Sequence, residues 1–258
     1  MRRAPAFWTS PPGWQSAVLS PLGALYAAGT ARRVARAPTY AADVPVICVG
    51  NLSAGGTGKT PVVIALAEML QARGLQVAVV TRGYGGSLNG PVQVDPATHS
   101  AAETGDEPLL LTGFATVWVS KDRAAGARAA VDSGTDVIVL DDGFQNPDVA
   151  KDVSLIVVDA GVGFGNGKVI PAGPLREPVA AGLPRADAVV LIGSAAQRQA
   201  FRVTWDHPPV LGAELLPLRT GLLLEGLRVL AFAGIGRPEK FFDTLRRQGA
   251  DVQRAVPL

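Results

Sequence analysis

Lys59 and Thr60 close the stretch GGTGKT, Gly55 to Thr60, and residues of these types in this order suit the gripping of a phosphate. Backbone amides freed by glycine can converge on an anion, a lysine behind them can reach the outer phosphates of a triphosphate, and a hydroxyl one residue on can join the shell of a magnesium ion. The usual spacing puts glycine five residues before Gly58, where Ser53 stands. Gly55 and Gly56 return that freedom nearer the following helix. Ser53, Ala54, Gly55, Gly56, Thr57, Gly58, Lys59 and Thr60 therefore form a variant phosphate-binding loop for ATP and Mg²⁺. Such a loop calls for a second part, an apolar strand ending in an acid that holds the metal. Val137-Ile138-Val139-Leu140 runs straight into Asp141 and Asp142. Asp141 is the better metal ligand, with Asp142 acting beside it.

Three further clusters fall where strands end or helices begin. Thr81-Arg82-Gly83-Tyr84-Gly85-Gly86 has glycines that let backbone approach a ligand closely, and Arg82 and Tyr84 are candidates to touch it. Gly105-Asp106-Glu107-Pro108 offers two adjacent carboxylates near the expected metal. The long loop from Asn166 to Pro178, NGKVIPAGPLREP, carries Lys168, Arg176 and Glu177. Each is weak alone, because a loop arginine or glycine is usually solvated surface or turn geometry. Together they would ring one crevice.

The elements that must position these groups alternate along the chain. Apolar β-branched runs near 45–49, 77–81, 116–119, 137–140, 154–158 and 188–192 read as strands, and patterns near 60–73, 106–113, 121–132 and 195–201 as helices. That order implies an α/β fold of the P-loop NTPase kind, a mostly parallel sheet with helices on both faces. The first helix is the best marked: Pro61 near its start, an apolar stripe of Val63, Leu66, Ala67 and Leu70, and Gly74 as its stop. Residues 202–227, punctuated by His207-Pro208-Pro209 and Pro217, read as a linker or hairpin between domains. Leu227 to Phe232 then forms a strand, Ala233 to Gly236 a turn and Pro238 to Gly249 a helix. One strand and one helix cannot bury a core, so this second α/β unit is expected to be incomplete. The domain reading is 1–36, 37–201, 202–227 and 228–258.

A net charge of +2 is too small for a general nucleic-acid binder, although Arg2, Arg3, Arg32, Arg33 and Arg36 make a local basic patch near the N-terminus. Cys48, the one cysteine, can form no intrachain disulfide and lies in an apolar run, as a buried core residue would. His99 and His207 have no partner at metal-ligand spacing. The first 36 residues are not a secretory signal, because Pro21 interrupts the apolar stretch and Arg32, Arg33 and Arg36 occupy the place of a cleavage region. The stretch is also shorter than the roughly 20 apolar residues of a spanning helix. Two readings stay open: an interfacial segment anchored by Phe7, Trp8, Trp14, Leu19, Leu22, Leu25 and Tyr26, or a helix packed on the protein's own core.

The series GNLSAGGTGKTP, TRGYGG, GDEPLLL, DDGFQ, PAGPLREP and AFAGIGRPEKFF, in this order over nearly the whole chain, resembles the tetraacyldisaccharide 4'-kinase family. The resemblance implies an ATP- and Mg²⁺-dependent lipid kinase that phosphorylates the lipid A precursor, an acylated disaccharide 1-phosphate, at the cytoplasmic face of the bacterial inner membrane. It further implies an N-terminal segment touching the membrane and two α/β domains joined by a short β linker. By position, Lys59 and Thr60 match the family's phosphate and metal ligands, Asp141 and Asp142 its acidic strand end, and Asp106 the acid that activates the sugar hydroxyl, with Glu107 near the metal. Arg176 and Glu177 fall on its Arg-Glu pair in the catalytic crevice. Asn146, like Glu177 a candidate substrate contact, stands where the family usually has histidine, and cannot carry a proton near neutral pH. The chain also ends at Leu258, before the family's Asp-His-His segment, so truncation or partial activity is expected. A P-loop ATPase switch that recruits a partner at the membrane, or a non-catalytic nucleotide-binding remnant, would share several of these features.

Overall fold

In the strands of the main sheet, neighbouring residues point to opposite faces and both are apolar, so both faces have to be covered. Cys48, Val80, Leu140, Val158 and Leu191 belong to the core on one face, and Val49, Val79, Val139, Val157 and Val190 to the core on the other. The computed structural model describes residues 4–216, 223–234 and 238–257. The sheet has eight strands: β1 (Val46–Gly50), β2 (Val77–Thr81), β3 (Val92–Gln93), β4 (Thr116–Val119), β5 (Val137–Asp141), β6 (Val153–Asp159), β7 (Ala188–Ile192) and β8 (Val210–Ala213). Their order is β3-β4-β2-β5-β1-β6-β7-β8, parallel throughout except for the β3–β4 pair at one edge.

The helices are α1 (Trp14–Val34), α2 (Lys59–Gln71), α3 (Ala101–Thr104), α4 (Asp106–Leu111), α5 (Arg123–Asp132), α6 (Val179–Gly182) and α7 (Ala195–Ala200). Helix α2 sets Val63 and Ala67 into one core, and α5 sets Ala124, Ala127 and Ala130 into the opposite one. The central strands β2, β5 and β1 lie side by side. Their carboxyl ends deliver Arg82, the Asp141-Asp142 pair and the phosphate loop to one edge of the sheet, where open α/β sheets bind ligands. Register makes this specific: Val49 of β1 pairs with Asp141 of β5, so the acids lie beside the start of the loop.

Two expectations need correction. Part of the stretch read as a linker or hairpin, 202–227, is strand β8, which pairs in parallel with β7 and extends the main sheet. Ala6–Glu214 form one compact unit, and the second is built chiefly from the residues after Glu214. In the second unit, β9 (Arg228–Ala233) and α8 (Pro238–Arg247) are followed by β10 (Asp251–Pro257), parallel to β9, so the unit is a βαβ element rather than a lone strand and helix. Phe242 of α8 is fully buried there. The turn expected at 233–236 and the Ile-Gly-Arg of the AFAGIGRPEKFF motif lie largely outside the described residues.

Helix α1 reverses the usual amphipathic arrangement. Its buried residues are Ser16, Gly23 and Thr30, small groups two turns apart, while Trp14, Val18, Leu22, Leu25 and Tyr26 are exposed, Trp14 by 74%. A Cβ at Gly23 would come within 2.9 Å of the Val169 carbonyl oxygen, so glycine permits the close approach. Asn166 fixes the contact by donating from Nδ2 to Ser16 Oγ at 3.0 Å, and Trp8 donates from Nε1 to the Pro171 carbonyl. No helix among the described residues is long and apolar enough to cross a membrane.

Candidate phosphoryl-transfer site

The phosphate loop leaves β1 and is held open from beneath. Asn51, fully buried, donates from Nδ2 to Thr57 Oγ1 at 3.0 Å and to the Gly55 carbonyl at 3.4 Å. Gly55 and Gly58 have φ of 113° and 91°, the left-handed region that a side chain would disfavour, and Gly58 caps α2. From the side, Ala54 donates its N–H to the Pro174 carbonyl at 2.7 Å and Arg176 donates its N–H to Leu52 at 2.7 Å. No described residue accepts a hydrogen bond from the backbone N–H groups of Gly55 through Thr60. Those donors, at the positive end of α2, fit a phosphate chain.

Across from the loop, Asp141 is 3% exposed and accepts a hydrogen bond from Thr81 Oγ1 at 3.0 Å. Burial pushes its carboxyl up to about 6; the charges of Asp142 and Glu107 add to that, while Lys59 and the Thr81 hydrogen bond oppose it. Asp142 sits in the left-handed region at φ 52°, a conformation that aspartate tolerates better than most residues. Arg123, itself buried, locks this turn by donating from Nη2 to the carbonyls of Asp141 and Asp142 at 3.1 and 3.2 Å. The Asp142 carboxylate lies 3.4 Å from Lys59 Nζ and accepts from Arg176 Nη1 at 3.0 and 3.1 Å. Burial acts to raise its pKa, but the cations Lys59 and Arg176 outweigh it and hold the group below the usual carboxylate range. Among the described residues no cluster of three or more His, Cys, Asp or Glu could cage a metal by itself. Thr60 in the first turn of α2 and Asp141 at the end of β5 are of the ligand types that Mg²⁺ takes alongside phosphate oxygens and water.

A family model described as Tetraacyldisaccharide-1-P 4'-kinase matches residues 15–258. The chain belongs to that family. A tetraacyldisaccharide 4'-kinase of Dinoroseobacter shibae is 60% identical, the match covering 99% of this chain and 78% of the relative; one from Jannaschia sp. is 61% identical, covering 99% and 79%. Among solved structures, LpxK from Aquifex aeolicus in complex with ATP superposes with a TM-score of 0.78 at 29% identity, over 94% of this chain and 81% of that one.

Within the kinase fold, the loop that carries Arg82 and Tyr84 lies against the start of α4, which carries Asp106 and Glu107. Tyr84 is 83% exposed, and Arg82 and both acids of α4 are exposed as well. Their two loops are interlocked: Gly83 and Gly86 press against backbone of Glu103, Thr104 and Gly105 so closely that a Cβ would stand 2.8 Å from the Thr104 carbonyl oxygen and 2.5 Å from that of Glu103. Glu107 is near enough for its charge to act on Asp141.

Two candidates sit elsewhere than expected. Glu177 is buried, its carboxylate taken by Arg185 Nη2 and by Gln145 Nε2 at 3.0 Å, which makes it a support for the crevice wall rather than an open substrate contact. Asn146 spends its amide on Asp148, donating at 2.8 Å and accepting from the Asp148 N–H at 3.0 Å. It lines a separate cavity that includes none of the loop, acid or Arg176 residues. Asn51, Thr81, Gln145 and Asn166 lie within motifs marked in the sequence without being site candidates themselves, and Arg123 lies outside them. Gln145 stood inside DDGFQ and links Asn51 O, at 2.8 Å, to Glu177 and, through a 3.5 Å contact, to Arg176.

Proposed function

We propose that this protein is an ATP- and Mg²⁺-dependent kinase that transfers the γ-phosphoryl group to the 4'-hydroxyl of a tetraacyl disaccharide 1-phosphate, a step of lipid A synthesis. The family membership carries the substrate class, and the placement of Asp142 between Lys59 and Arg176, beside a loop of free amides, carries the chemistry. Magnesium-bound ATP supplies the phosphoryl group and neutralises charge on its oxygens when bound. The loop amides of Gly55 to Thr60 orient the phosphate chain, and Lys59 and Arg176 supply fixed positive charge where negative charge develops. Asp106, at the open rim on α4, takes the proton of the acceptor hydroxyl, which needs a carboxylate within hydrogen-bond reach. Arg82 and Tyr84 on the neighbouring loop orient the sugar.

The acceptor's acyl chains keep it in a bilayer, so the enzyme works at a membrane surface; ATP supply favours the cytoplasmic face of the bacterial inner membrane. The apolar stripe of α1, turned outward, supports a peripheral association of this kind. The test is a single-turnover assay with radiolabelled ATP and the lipid acceptor. Wild type is expected to yield phosphorylated lipid, and Asp106→Asn a rate lower by about 10²-fold or more. Release of ADP and free phosphate alone would point instead to a hydrolytic switch, and near-normal transfer by the variant would remove Asp106 from its role.

A further inference from the structure

The separate cavity, of about 230 Å³, opens between the end of α1 and the turn after β5. Its walls carry Arg36, Lys151 and Arg185, together with Phe144 and Asn146, and no carboxylate. Arg185 is already committed: it pairs with Glu177 and stacks over the Phe144 ring at 4.5 Å. Lys151 is not. Its ammonium is half-buried and donates to the Asn146 carbonyl at 2.5 Å, and no described carboxylate lies within ion-pair distance. Asp148, the acid whose charge reaches it, has its carboxylate bonded to Asn146. Arg36 is exposed and forms no ion pair with any described residue.

A half-buried ammonium without a counter-ion costs free energy, and a cavity of one sign raises the local concentration of anions. The space is well above the roughly 10–15 Å³ that one water needs, so it admits a phosphate group with part of its carrier. It also lies where α1, with its outward apolar stripe, ends. We propose that this cavity is a second phosphate-binding site, separate from the nucleotide loop, in which Lys151 and Arg36 grip a phosphate presented at the membrane surface. Two molecules carry that chemistry, an anionic phospholipid and the acceptor through its own phosphate; the second source rests on the kinase reading.

Lys151 gives a direct measurement. With ADP saturating the nucleotide loop, acylation of lysines by an N-hydroxysuccinimide ester is followed by mass spectrometry in inorganic phosphate and in sodium chloride of equal ionic strength. Phosphate is expected to slow labelling of Lys151 several-fold and to leave the exposed Lys121 unchanged. The source is separated with Lys151→Gln, checked for an unchanged Tm, and with Arg36→Gln on the exposed side. Loss of the extra flotation on phosphatidylglycerol-containing over phosphatidylcholine vesicles assigns a phospholipid. A KM raised at least fivefold for the phosphorylated acceptor, with kcat unchanged and no effect on an acceptor lacking that phosphate, assigns the acceptor. Protection of Lys151 in an enzyme that transfers no phosphate to lipid would keep this site while removing the kinase reading. Equal labelling in both salts, with both variants matching wild type on vesicles and in KM, overturns the site.

Discussion

Arg176 meets Asp142 through one nitrogen, Nη1, which lies 3.0 and 3.1 Å from the two carboxylate oxygens, while Lys59 stands 3.4 Å from one of them. One carboxylate thus holds two cations at the mouth of the phosphate loop. In the proposed mechanism the arrangement fixes where positive charge waits for the transferring group and does so before substrate arrives, which is how electrostatic preorganisation lowers a barrier. Arg176 is in turn steered by Gln145, and its backbone N–H is tied to Leu52. Lysine at 176 would keep the charge and lose the planar donor set. Arg176→Lys and Arg176→Ala should both lower kcat, the alanine variant by about 10²–10³-fold, with a smaller change in the KM for ATP. Steady-state kinetics decides it; a kcat within twofold of wild type for the lysine variant would show that charge alone suffices.

Asp141 gives the pH dependence its sign. Burial raises its carboxyl to about 6, so the folded protein holds this proton more tightly than the unfolded chain does. The stability cost of ionising it is therefore complete above about 6 and is relieved as pH falls toward the ordinary carboxylate value, opposite to the usual surface aspartate. In the proposed metal site, magnesium has to displace the same proton. Its apparent affinity in the presence of ADP should be level above about pH 6 and weaken by about tenfold per unit below it. Magnesium titrations at pH 5, 6, 7 and 8 read this, and Asp141→Asn should show weak binding with a shallower slope, the part left by the terminal phosphate of ADP, whose second pKa is about 6. An affinity that is flat from pH 5 to 8 in wild type would mean that Asp141 is not a ligand.

What could be read from the sequence follows burial. The central strands were legible to within a residue or two, since their β-branched runs are apolar on both faces and bounded by turns. Strand β8 was not, because Val210 to Ala213 is an edge strand, partly exposed, with Gly212 inside it and prolines before it. Strand β10, DVQRAVP, mixes charged and apolar residues and has little buried surface to mark it. Among site residues, the loop and the acid pair announce themselves by type and spacing, whereas Arg176 is weak alone and stands out only through the family resemblance. Arg123 and Gln145 do not, because their roles lie in bonds to backbone 18 and 94 residues away. Nothing local in the sequence encodes such a distance.

The proposed membrane contact of α1 can be separated from its part in folding. Trp14, Val18, Leu22 and Leu25 are exposed, so changing them removes little packing. Polar replacements, Val18→Ser with Leu22→Ser and Leu25→Ser, should leave Tm within about a degree or two. They should also cut partitioning onto phospholipid vesicles by at least about tenfold, since each large apolar side chain contributes roughly 1.5–3 kcal/mol when buried. Flotation and thermal unfolding of one preparation give both numbers. A large fall in Tm would mean that the stripe packs on protein, and unchanged flotation would detach α1 from the membrane.

Asn166 joins that helix to the phosphate loop. Its Nδ2 donates to the Phe7 and Ala172 carbonyls and to Ser16 Oγ, and its Oδ1 accepts from the Lys168 N–H at 3.0 Å. The far end of the loop that Asn166 opens, at Pro174 to Arg176, is bonded to Ala54 and Leu52 on the way into the nucleotide site. Loosening Asn166 should therefore be felt at both ends. Asn166→Ala leaves buried acceptors unpaired and should cost about 1–3 kcal/mol of stability. Asn166→Asp keeps Oδ1 but replaces the donor by a buried carboxylate among acceptors, so it should be no better than alanine. Both should also reduce the thermal stabilisation given by ADP and magnesium. Chemical denaturation with and without nucleotide tests the pair: an aspartate variant as stable as wild type, or full nucleotide stabilisation in either, would show that α1 and the phosphate loop are held independently.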